Sequence, residues 1–159
     1  MKTIAYFKLI VLCFTLAFSQ ACSQKDDFFL LDGTGHDLTE YRGQWLIINF
    51  WAEWCAPCRE EIPELNKLFG NRSALNLTIL GISYDPLENK EIGRIAELWG
   101  IDYPIVASIP MPVFPFKLPK SLPGNYIFNP DGELVMRLSG KQSVQSLTKL
   151  LNLLKKESS

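Results

Sequence analysis

The stretch Asn49-Phe50-Trp51-Ala52-Glu53-Trp54-Cys55-Ala56-Pro57-Cys58-Arg59-Glu60-Glu61 decides how this chain folds. It sets two thiols one helical turn apart, directly after Trp45-Leu46-Ile47-Ile48, an apolar and partly β-branched run that reads as a buried strand. Downstream, Ile62, Leu65, Leu68 and Phe69 fall on one face at helical spacing. Cys55 therefore belongs at a helix N-terminus, where unpaired backbone N–H groups and the positive end of the helix dipole favour thiolate over thiol. That makes Cys55 the attacking sulfur of a redox dithiol. Cys58, inside the first turn and less exposed, is the resolving one. Pro57 has no N–H to offer the Cys55 sulfur, and its fixed φ suits a helix start.

Of the four cysteines, Cys13 lies inside an N-terminal apolar segment and Cys22 at its end, so the folded part keeps only the pair. A structural zinc site takes about four N or S ligands. Outside the leader the chain offers two cysteines and one histidine, His36, so no metal is expected. His36 itself sits in a glycine-rich turn and reads as a surface residue. A purely structural bridge would close only two intervening residues and so constrain the unfolded chain little.

Lys2 and Lys8, the apolar run Leu9 to Phe18 and then Ser19-Gln20-Ala21 have the form of a secretory signal. The run is short of the roughly 20 residues of a membrane span. Residues 1–21 are thus expected to be a leader, 22–27 a linker and 28–155 one domain, exported to the periplasm or the outer face of a membrane. Ala21 suits acylation of Cys22 and a lipid anchor, although Ser19 stands where lipoprotein signals usually carry an aliphatic residue. The same residues suit ordinary cleavage, which would leave Cys22 an odd exposed thiol. The net charge of −1 at neutral pH becomes more acidic once Lys2 and Lys8 leave. No basic run or basic-aromatic patch could neutralise several phosphates, which argues against nucleic acid as a partner.

Phe28 to Leu31 followed by Asp32-Gly33 reads as a strand and turn, and Tyr41-Arg42-Gly43 leads into the central strand. After the dithiol helix come a strand over Leu77 to Ser83 and a helix from about Leu87 to Trp99, stopped by Gly100. A strand within Ile101 to Ala107 precedes an antiparallel pair, Gly124 to Phe128 and Glu133 to Ser139, around Pro130-Asp131-Gly132. Ser143 caps a final helix with Val144, Leu147, Leu151 and Leu154 on its apolar face. Strand-helix alternation, then a hairpin and a helix, predicts an α/β fold with a central mixed sheet and helices on both faces.

With these elements the chain resembles the thioredoxin fold, and more narrowly the TlpA/ResA-like thiol-disulfide oxidoreductases, over about residues 26 to 154. The resemblance rests on Asn49 through Leu65, on Leu31-Asp32-Gly33 with Tyr41-Arg42-Gly43, and on Leu122-Pro123 with Asp131-Gly132. It implies a cis-proline at Pro123 facing the dithiol, leaving the backbone before it free to pair with an extended substrate. Trp54, Pro57, Leu122 and Pro123 are then the expected substrate contacts, with Trp51 and Trp54 rimming Cys55 and Trp45 and Trp99 in the core. Asn49 stands where thioredoxin has a buried aspartate, and an amide cannot titrate. The resemblance passes the proton-transfer role to Glu61, three residues after Cys58; the alternative is that Glu60 and Glu61 only complement the helix dipole. Glu53 reads as a surface residue.

Pro110 to Pro119 departs from the family, which usually has a helix there. Two readings stand: a stiff loop presenting Phe114 and Phe116 beside the dithiol to a partner, or a connection whose aromatics pack inward. The Cys-Ala-Pro-Cys dithiol looks like that of a reductant, nearer thioredoxin at about −270 mV than DsbA at about −120 mV. The implied activity is reduction of disulfides in client proteins, with apocytochrome c maturation as one pathway. No cofactor is called for, and electrons would come from a membrane donor of the DsbD/CcdA type. Two alternatives are a dithiol module holding a soft cation such as Cu(I) and a thiol peroxidase. The second conflicts with Ile48 and Ala52, where the peroxidatic pattern needs proline and serine or threonine.

Overall fold

The computed structural model describes residues 27–110 and 112–157. The proposed leader, the linker up to residue 26 and Cys22 lie outside the described residues. The elements run β1 (Phe28–Phe29), β2 (Gly35–His36), a 3-10 helix (Leu38–Tyr41), β3 (Trp45–Trp51), α1 (Ala56–Gly70), α2 (Arg72–Leu75), β4 (Leu77–Ser83), α3 (Asn89–Trp99), β5 (Ile105–Val106), β6 (Gly124–Phe128), β7 (Leu134–Ser139) and α4 (Val144–Glu157). The strand expected within Ile101 to Ala107 is only two residues long, and α2 and the 3-10 helix carried no periodic signal because each is about one turn.

Five strands form one mixed sheet in the order β5-β4-β3-β6-β7. β3 runs parallel to β4 and antiparallel to β6, and β6 to β7 is antiparallel. All seven residues of β3 are buried, which explains why its sequence is apolar apart from Asn49 rather than alternating. Trp45, Ile47 and Trp51 join Leu65 and Leu68 of α1, Ile92 and Ile95 of α3, and Leu147 and Leu151 of α4 in one cluster. Leu46, Ile48 and Phe50 join the opposite cluster with Phe28, Leu80, Tyr126 and Phe128. The three long helices thus cover one face. The other is covered by the N-terminal hairpin, by Leu38 and Tyr41 of the 3-10 helix, and by Phe114 and Phe116.

The proline-dense segment follows the inward-packing reading. Phe114 and Phe116 stack at 5.1 Å, Phe116 also lies 5.7 Å from Tyr126 and 5.4 Å from Phe128, and Phe114 lies 6.1 Å from Phe28. Pro112, Phe114 and Phe116 are half-buried while Val113 and Pro115 are exposed, an extended alternation that prolines permit and a helix would not. His36 is likewise no plain surface residue: it is half-buried, holds Glu40 at 2.7 Å and stacks on Phe28.

Candidate active site

Cys55 is the N-cap of α1, with extended φ and ψ, and Ala56 and Pro57 open the first turn. Its Sγ accepts the backbone N–H of Cys58 at 3.3 Å, so the exposed end of the helix points a donor at the sulfur. The two cysteines are joined in a disulfide, with Cα atoms 5.3 Å apart. Cys58 is 2% exposed and Cys55 4%, while Trp54 beside them is 72% exposed. The loop before the dithiol is tied down by Asp85, a buried carboxylate at the end of β4 that accepts the Glu53 N–H at 2.7 Å and the Ser83 hydroxyl at 3.1 Å. Glu53 is exposed at its side chain, as expected.

Trp51 corrects one expectation. As the last residue of a strand enclosed by β4 and β6, it is fully buried rather than part of a rim, and its ring lies 5.4 Å from that of Trp99. Its indole N–H is the one buried side-chain polar atom without a hydrogen bond among the described residues. Trp45 is core, and Trp99 is half-buried with the Arg59 guanidinium 5.9 Å from its ring.

Glu60 and Glu61 separate sharply. Glu60 is exposed and pairs with Lys141 at 2.6 Å, which holds its carboxyl below the ordinary value. Glu61 is fully buried one turn after Cys58 and lies beyond the first turn of α1. Its Oε2 accepts Asn49 Nδ2 at 3.0 Å, and its Oε1 accepts Asn125 Nδ2 at 2.8 Å and the Gln142 N–H at 2.7 Å. Burial pushes its pKa up to about 7, against the pull of those three donors and of the Lys141 charge. A carboxyl group poised there can take up and return a proton at neutral pH.

Asn49 and Asn125 are direct partners across β3 and β6, and Asn49 Nδ2 also reaches Asn125 Oδ1 at 2.9 Å. The Tyr103 hydroxyl donates to Asn49 Oδ1 at 3.0 Å. Sequence reading found Asn49 and Glu61 but missed Asn125, Tyr103, Asp85 and the Gln142 N–H. The available signal was an asparagine inside each of two otherwise apolar runs, Trp45 to Trp51 and Gly124 to Phe128, where an amide needs a buried partner.

The Leu122–Pro123 peptide bond is cis, as is Ile109–Pro110. Leu122 packs against the cluster that contains both cysteines, and Pro123 is buried. Pro57, like Trp54, is exposed. No group of three or more His, Cys, Asp or Glu side chains that could hold a metal occurs among the described residues.

Residues 22–137 match the AhpC/TSA family. The chain is 30% identical over 136 residues to the thiol-disulfide oxidoreductase ResA of Geobacillus thermodenitrificans, covering 84% of this chain and 77% of that one. It is 24% identical to ResA of Bacillus subtilis, over 84% and 75% of the two chains. Among solved structures, a thioredoxin-family thiol:disulfide interchange protein from Chlorobium tepidum superposes with a TM-score of 0.64 at 21% identity, over 79% of this chain and 89% of that one. A capped cysteine pair on a thioredoxin-like sheet and this relationship lead to one conclusion: the chain belongs to the AhpC/TSA family and is a ResA-like thiol-disulfide oxidoreductase.

Proposed function

We propose that this enzyme is an exported reductase of protein disulfides. The observation that carries the reading is the Cys55 sulfur at the cap of α1, facing the Cys58 N–H, with the buried Glu61 carboxyl one turn behind. The Cys55 thiolate attacks one sulfur of a client disulfide; a Cys55–client disulfide forms and the other client sulfur leaves as a thiolate that takes a proton from water. Glu61 accepts the proton of the Cys58 thiol. The Cys58 thiolate then attacks Cys55, the mixed disulfide breaks, and the client leaves with both sulfurs reduced. Two electrons have passed to the client, and the enzyme holds the Cys55–Cys58 bond seen here.

Export rests on the leader-like residues 1–21, with Cys22 placed for a lipid anchor. Outside the cytosol a spent dithiol needs a local source of electrons, which supports a membrane donor of the DsbD/CcdA type. Trp54 and Pro57, exposed beside the dithiol, and the half-buried Leu122 are the surface offered to the client, and the buried Pro123 leaves the backbone before it free to pair. Apocytochrome c is one client class that the family supports. Equilibration of the dithiol with reduced and oxidised glutathione tests the direction of electron flow. A potential nearer about −270 mV is expected, and one nearer about −120 mV would make the protein an oxidase.

A further inference from the structure

Four side chains from four parts of the fold meet behind the dithiol: Glu61 from α1, Asn49 from β3, Asn125 from β6 and Tyr103 from the loop before β5. All are buried, with Asn49 at 1%, Asn125 at 0% and Tyr103 at 3% exposure. Strand register alone would place two amides side by side without choosing which end of each faces the carboxyl group. The Glu61 oxygens accept from the NH2 ends, and the Tyr103 hydroxyl secures that choice from the other side. By donating to Asn49 Oδ1 it turns the Asn49 NH2 toward Glu61 Oε2 and Asn125 Oδ1. Asn125 in turn spends its carbonyl on Asn49, so its own NH2 faces Glu61 Oε1. Flipping either amide would set oxygen against oxygen in a site without water's screening.

We infer that Tyr103 and Asn125 are positioning residues that act through Asn49 and Glu61: they lock the carboxyl group in place and set the pH at which it takes the Cys58 proton. The inference rests on the proton-transfer role proposed for Glu61. The other groups acting on that carboxyl are the Gln142 N–H and, farther out, the Lys141 ammonium, both from the segment before α4; on its own helix Cys58 lies one turn before it, Glu64 one turn after, and Glu60 points to solvent. Lys141 is held by Glu60, and Glu64 is engaged by Lys67 and by the Val144 N–H. The amide clamp is therefore the part of this surrounding that a side-chain change can alter without moving a formal charge.

The test pairs Tyr103→Phe and Asn125→Ala with Glu61→Gln in the mature protein. Two quantities are read: the titration midpoint of the Glu61 carboxyl by carbon NMR of the oxidised form, and the pH dependence of mixed-disulfide resolution. Each clamp variant weakens donation to the charged form, so the Glu61 midpoint should rise by on the order of one pH unit. The pH limb of resolution should move with it, slowing the reaction about tenfold at a fixed pH below the midpoint. Tyr103→Phe removes a single oxygen and keeps the ring, so it decides the matter even where Asn125→Ala does not fold. Unchanged midpoints in Tyr103→Phe would overturn the clamp while leaving Glu61 in its role. A moved midpoint with an unmoved limb would overturn the clamp's part in the reaction. A limb that survives Glu61→Gln would instead show that Glu61 is not the proton acceptor, and the clamp would fall with it.

Discussion

At Glu61, complete burial and three hydrogen-bond donors act in opposite directions on one carboxyl group, and burial wins: the pKa rises from 4.5 to about 7. Between those values the folded chain holds a proton that the unfolded chain has released. The resulting stability is fully present below about pH 4.5 and is lost as pH rises through 7, amounting to roughly 3 kcal/mol. Urea unfolding at pH 5 and pH 8 should show the wild type losing stability over that interval and Glu61→Gln losing much less. Glu60 and Glu64, drawn below their ordinary value by Lys141 and Lys67, titrate beneath this window and do not mask it. An equal slope in the variant would place the source elsewhere. The dithiol was legible in the sequence because cap, proline and apolar helix face are all local. Asn125 and Tyr103 were not: they are 64 and 42 positions from Glu61, and only strand register and a crossover bring them to it.

Among the elements, β4 makes room for this cluster through one missing side chain. Gly81 lies opposite Asn49, and a Cβ there would fall 2.5 Å from Ile105 Cδ1, 3.1 Å from Tyr103 Cε2 and 3.3 Å from Trp51 Nε1. Gly81→Ala should cost about 1–3 kcal/mol by overpacking, measured by denaturant unfolding. A neutral result would mean that Ile105 and Tyr103 can yield. Helix α4 meets α1 through polar contacts at its start, where Gln142 and Val144 donate their N–H groups to Glu61 and Glu64. Ser143 caps it by accepting the Ser146 N–H at 3.1 Å, and Ser143→Ala should cost about 1 kcal/mol. The long elements fell where periodicity put them, β4 and β6 residue for residue. Helix α3 ends at Gly100 because that residue takes φ +64, a conformation few side chains adopt.

For the molecule as a whole, two cores share one sheet, and they are built differently. The helix-bearing face supports the dithiol and Glu61; the opposite face is closed by aromatics carried on a chain too rich in proline to be a helix. Composition announced the prolines but not their direction, since Phe114 and Phe116 would serve equally as an exposed lure or as packing. Phe116→Ala should therefore destabilise the domain by about 2–3 kcal/mol, below the scale of a fully buried aromatic truncation because the ring is half-exposed. Val113→Ser, at 86% exposure, should stay within about 0.5 kcal/mol. Equal effects would argue against the packed arrangement. The whole reaction depends on ionisation of one sulfur at the tip of α1. The most direct measurement is the alkylation rate of each cysteine in the reduced protein across pH, mapped by mass spectrometry. Cys55 should react first, with a midpoint well below the ordinary thiol value of about 8.5; a midpoint at or above that value, or faster modification of Cys58, would contradict it.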